Sequence, residues 1–113
     1  MSVVTTAIIM HNLCEPNKHR LITHLHGVYG EHDEGYYHTP FRDMTDGAIK
    51  FCWGGTKMPE CDLLVGAFNY LDHAVLVEVF LAWPWEYPEN AVLVFQPQDG
   101  PTVVVRAAYK EAR

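Results

Sequence analysis

The sequence predicts a single α+β domain, and three observations carry that prediction. Apolar, β-branched runs recur along the chain, as VVTTAIIM from Val3, DLLVGAFNY from Asp62, and the pair Ala91 to Phe95 and Thr102 to Ala107. Between them, the segments after Pro16 and after Asp72 carry helix signals. A chain of 113 residues that is 49% apolar and 19% charged also suffices for one core, so residues 1–113 read as one domain.

The elements follow in order. Val3 to Met10 is nearly continuous in apolar and β-branched residues, which predicts a central strand covered on both faces. Pro16 suits a first helical turn, and Leu21, Leu25 and Val28 share a face, so a first helix is predicted from Pro16 to His26, with Gly27 and Gly30 available to end it. Asp46-Gly47 is a turn signal, and the alternation of Ile49, Phe51 and Trp53 predicts a hairpin of Tyr37 to Arg42 with Ala48 to Trp53. Asp62 to Tyr70 reads as another covered strand, with Gly66 marking a bulge or a close backbone approach.

Asp72 is placed to cap a second helix from His73 to Trp83. The β-branched Val75, Val77 and Val79 argue for a strand instead. Against that, Val75, Leu76, Val79, Phe80 and Trp83 match the helical period and Pro84 supplies a stop. The last two runs, joined through Asp99-Gly100, read as a closing hairpin. The resulting order β-α-β-β-α-β-β predicts a ferredoxin-like split β-α-β sandwich with an extra C-terminal strand.

Charge excludes some partners. With Asp+Glu 14 against Lys+Arg 8 the net charge is -6, which opposes binding to nucleic acid. No apolar run approaches the roughly 20 residues needed to span a bilayer, so no membrane partner is expected. Three cysteines, Cys14, Cys52 and Cys61, are an odd number without CxxC spacing, which predicts reduced thiols and a cytoplasmic protein.

Several residue sets carry candidate chemistry. His32, Glu34 and His38, near His24, His26 and Asp33, are of the ligand types that zinc accepts. They form no HExxH pattern and no cysteine pair completes them, so no metal or other cofactor is expected. His24 and His26 are instead read as basic groups near the carbonyl end of the first helix. For an enzyme, the candidates are Cys14 as nucleophile at the strand-to-helix junction, His11 as its base, and His38 as acid-base group, with Tyr37, Trp53 and Tyr70 lining a pocket. The alternative, preferred for Cys14, is that it packs as a small apolar residue. Gly54-Gly55-Thr56-Lys57 lacks the order of a phosphate loop and reads as a turn.

The surface signals are stronger than the catalytic ones. Trp83-Pro84-Trp85-Glu86-Tyr87-Pro88 sets large aromatics in an extended connector, which makes Trp85 and Tyr87 candidate interface anchors. Val77 and Leu81 make the outer side of the second helix apolar, and Val103 and Val105 lie on a candidate edge strand. The sequence therefore predicts a small acidic, non-enzymatic interaction or assembly module whose partner is a protein or a second copy of itself. The alternatives are a small-ligand or metal-binding enzyme using a histidine-rich pocket, and an acidic inhibitor of a basic partner.

Overall fold

Strand β1, Val4–Asn12, is the middle of a five-stranded antiparallel sheet in the computed structural model, which describes residues 4–16, 18–29, 41–44, 60–69 and 71–107. Helix α1 (Lys18–Tyr29) and strand β2 (Arg42–Asp43) follow, then β3 (Cys61–Asn69) and helix α2 (His73–Ala82). A single 3-10 turn, Pro88–Asn90, leads into the hairpin of β4 (Val92–Pro97) and β5 (Val103–Arg106). The strand order is β2-β3-β1-β4-β5. The fold is thus α+β, with two helices on an antiparallel sheet.

Both helices lie on one face. In this order β1 and β2 flank β3, each antiparallel to it and so parallel to one another, and β3 and β4 flank β1 in the same way, so each helix links two mutually parallel strands across an intervening antiparallel one. The two crossings run in opposite lateral directions along oppositely directed strands, and the right-handed rule sends both to the same side. The core records this. Leu21 and Leu25 of α1 and Leu76 and Phe80 of α2 join one cluster with Ala7, Ile9, Leu64, Leu93 and Phe95 of the strands.

That arrangement corrects the expectation that β1 is covered on both faces. Its residues alternate: Thr5, Ala7, Ile9 and His11 are buried, whereas Thr6 is exposed and Met10 is 38% exposed. The continuous run of apolar residues fills a strand with one helix-covered face and one face that no described helix covers. Opposite Thr6, Ile8 and Met10 stand Ala67, Val65 and Leu63 of β3 and Gln96, Val94 and Val92 of β4. No described helix contributes a buried residue on that side.

Local chemistry sets the helix ends. Asp72 Oδ1 accepts a hydrogen bond from Val75 N at 3.2 Å, the predicted N-cap, worth about 1 kcal/mol over alanine. Helix α2 stops at Ala82, one residue short of the expected Trp83, because Pro84 disfavours helical backbone in the residue before it; Trp83 is extended at ψ 136. The helical period outweighs the β-branched content here because Leu76 and Phe80, one turn apart, are both buried against the sheet. His73 anchors the helix start, with its Nε2 3.0 Å from Thr5 Oγ1 on β1 and its ring 4.7 Å from Phe95 on β4. Helix α1 begins two residues after Pro16 and runs to Tyr29, past the expected end at His26, so Gly27 lies within it.

The β1–β3 register passes through Gly66, opposite Ala7, without a bulge. Of the expected middle hairpin, only Arg42–Asp43 is described, as the short strand beside Val65 and Leu64; the remaining residues of that hairpin lie outside the described set. The closing hairpin forms as expected, with Gly100 N donating to Pro97 O at 3.4 Å and Gln98 N donating to Val4 O at 2.8 Å.

Candidate functional site

The densest polar arrangement among the described residues lies where β1 ends. His11 is the eighth residue of that strand, in phase with Thr5, Ala7 and Ile9, so its ring points into the helix-covered side and is 0% exposed. The register sets Asp62, also buried, directly opposite on β3, with Oδ2 3.9 Å from His11 Nδ1. Closer still, Nδ1 is 2.9 Å from the carbonyl oxygen of Asn12. A carbonyl can only accept, so in the neutral ring Nδ1 carries the proton and Nε2 carries the lone pair. Among the described residues, that buried Nε2 meets no donor.

The turn after β1 completes the corner. Asn12 O accepts from Glu15 N at 3.0 Å, and the Asn12 side chain accepts from Cys14 N at 2.7 Å while donating to Asn90 Oδ1 at 2.8 Å. This fixes Glu15, whose buried carboxylate takes the backbone N–H groups of Glu86 at 2.7 Å and Tyr87 at 3.1 Å. Two charge-assisted bonds therefore tie the connector after α2 to the start of α1. Trp85 is locked in turn: its indole N–H donates to Phe80 O at 2.9 Å, and its ring stands 5.3 Å from Phe80 and 5.7 Å from His11. The corner thus gathers a buried imidazole, the Asp62 and Glu15 carboxylates and the Trp85 ring, and Nε2 is the imidazole atom left without a hydrogen-bond partner among the described residues.

The predicted site residues divide three ways. His11 enters this corner, but Cys14 is exposed on the turn, against the alternative that it packs as a small apolar residue; a side chain at a tight turn has no core within reach. His24 is exposed on α1, its ring 5.9 Å from Trp83. The metal candidates His32, Glu34 and His38, together with Tyr37, Trp53, Lys57 and Tyr70, lie outside the described residues. Among the described residues no group of three potential metal ligands occurs.

The expected interface residues are more buried than the sequence suggested. Trp85 and Tyr87 are half-buried in the connector that Glu15 holds, and Val77, Val103 and Val105 pack partly against the core. Leu81 is 45% exposed, but its neighbours on the outer side of α2 are Ala74, Glu78 and Ala82, a mild surface. The larger apolar surface is the open side of the sheet, where Ile8, Leu63, Val65, Val92 and Val94 surround one another and Val104 is 60% exposed.

Sequence reasoning missed Asp62 and Glu15 as partners of this corner. The period-two phase of β1 was a usable signal for His11, but the strand register that brings Asp62 opposite depends on long-range pairing. No described helix is long and apolar enough to cross a membrane. In comparison with known proteins, no family model matches this chain, and no match is found among curated proteins or solved structures.

Proposed function

We propose that this chain is a small non-enzymatic assembly module that self-associates by packing the open face of its sheet against the same face of a second copy. We read the framework as a ferredoxin-like split β-α-β sandwich: β2-β3-β1-β4, with helices following β1 and β3, supports it, and β5 extends the edge beside β4. The observation that carries the functional reading is the row Val65, Ile8, Val94 and Val104, four apolar residues crossing four adjacent strands on the side that no described helix covers.

A contiguous apolar sheet face in water favours a cover of like character. Size supports a second copy. With strands about 4.8 Å apart and about 3.3 Å per residue, the face measures on the order of 500 Å² in projection, which side-chain relief brings near the ~800 Å² per partner of a stable interface. A two-fold contact also needs only one self-complementary patch. Arg42 and Arg106 fall in phase with this face on its two edge strands, where they form a polar rim around the apolar centre.

Sedimentation velocity across the micromolar range tests the reading. The parent chain is expected to sediment as a dimer and Val94→Glu as a folded monomer with an unchanged circular dichroism spectrum. A parent that stays monomeric throughout overturns it. So does a dimer that survives Val94→Glu.

A further inference from the structure

We infer that the outer edge of β5 takes up an extended segment of a partner protein as an added antiparallel strand, and that this segment carries a carboxylate opposite Arg106 and an apolar residue opposite Val104. The inference does not rest on contact between sheet faces, because the backbone groups that would bind the segment lie in the plane of the sheet.

The phase of the hydrogen bonds shows which groups that edge offers. β5 is the last strand of the sheet and pairs with β4. Ala107 N donates to Ala91 O at 3.2 Å, one step beyond the pair Val92 and Arg106. Successive residues of a strand turn their N–H and C=O groups to opposite sides, so Val103, Val105 and Ala107 turn theirs toward β4. Thr102, Val104 and Arg106 turn theirs outward. All three are exposed, Val104 at 60%. Edge strands are blunted by a bulge or by a proline within them, but here four consecutive residue pairs run without a bulge and Pro101 stands before the strand. The edge is a regular template.

The side chains select the partner. Val104 and Arg106 lie on one face of β5, and Arg106 has no carboxylate partner among the described residues. In an antiparallel pair, directly opposed residues share a face. A carboxylate opposite Arg106 therefore gains a charge-assisted contact, and an apolar residue opposite Val104 covers a side chain now in water. The residue between these two faces half-buried Val105, so it is apolar as well. Because the added strand runs against β5, the segment reads acidic, apolar, apolar from its own N-terminus. A second copy fits this edge less well: β5 laid antiparallel on itself brings no carboxylate to Arg106, since Thr102 to Ala107 (TVVVRA) hold none.

The test titrates the full chain into a capped, fluorescently labelled peptide, Thr-Glu-Val-Val-Thr-Thr, and reads anisotropy. Binding should saturate. Methylating the backbone nitrogen of the second valine, which would donate to Val104 O, should weaken binding roughly tenfold, the equivalent of about 1.4 kcal/mol. The same methyl on the first valine, whose N–H points away from β5, should change little. Replacing the peptide's glutamate by lysine should weaken binding several-fold, and Arg106→Glu should reverse that preference. Val104→Pro removes an outward N–H that the sheet does not use, so it should abolish binding with an unchanged circular dichroism spectrum. No saturable binding overturns the proposal, as does an equal loss from either methyl or indifference to the glutamate. An edge occupied by a second copy, seen as a parent dimer that Val104→Pro dissociates and a peptide that does not bind, overturns it too. Should Val104→Pro fail to fold, the two methylated peptides on the parent chain decide the matter. Sedimentation of Val94→Glu reads the sheet face separately, so the two readings fail independently.

Discussion

The two faces of the sheet are built from nearly the same residue types, yet they do opposite work. On the covered side Ala7, Ile9, Leu64, Leu93 and Phe95 meet the helices, and each is almost wholly buried. On the other, Ile8, Val65, Val92 and Val94 occupy alternating positions of the same strands and remain half-buried. Hydrophobicity alone does not separate them. The side on which the helices cross decides which apolar residues form the core and which form a surface, and both crossings fall on one side.

The difference is largest for a matched pair in β1. Ile9→Ala empties a fully enclosed position and should cost about 3 kcal/mol, while Ile8→Ala, one residue away on the open side, should cost under about 1 kcal/mol in a monomer. Urea denaturation in a Val94→Glu background measures both without the contribution of association. In the parent chain the cost of Ile8→Ala should grow with protein concentration, because binding of a second copy stabilises the folded state by mass action. Equal costs for the two substitutions in the monomer would abolish the distinction between the faces.

A smaller effect tests what holds the covered side closed. Glu15→Ala strips the acceptor from two part-buried backbone N–H groups and should cost about 2 kcal/mol; Glu15→Gln, keeping one acceptor oxygen, should recover part of that. Thermal unfolding compares them. A silent Glu15→Ala would mean that the connector is held by Trp85 alone. Next in size is the cap: Asp72→Ala should cost about 1 kcal/mol in the same assay, with Asp72→Asn recovering most of it.

What the sequence made legible follows from the range of each signal. The cap at Asp72, the stop at Pro84 and the closing hairpin through Asp99-Gly100 are local, written within a few residues, and all three appear. The second helix was legible despite Val75, Val77 and Val79 because its period holds over several turns. The uncovered face of β1 was not, since a continuous apolar run reads the same whether one side or both are packed. Likewise His11 stood out as a residue, but its pairing with Asp62 depends on a register between strands some fifty positions apart in the chain, and Glu15 reaches Glu86 and Tyr87 across a still longer gap of 71 and 72 positions. Local chemistry fixes elements, and long-range pairing fixes the site.

The smallest expected effect separates the sheet face from the back of α2, the surface that the sequence favoured for association. Leu81 is the one large apolar residue exposed on that helix, flanked there by Ala74, Glu78 and Ala82. A lysine at this position keeps a long aliphatic stem over the same neighbours and puts its charge in water, so Leu81→Lys should change stability by no more than about 0.5 kcal/mol. If the sheet face carries association, the sedimentation of Leu81→Lys should match that of the parent while Val94→Glu sediments as a monomer. Dissociation by Leu81→Lys, with Val94→Glu still paired, would instead assign the contact to the helical layer, and the exposed side of the sheet would then be a surface that water tolerates.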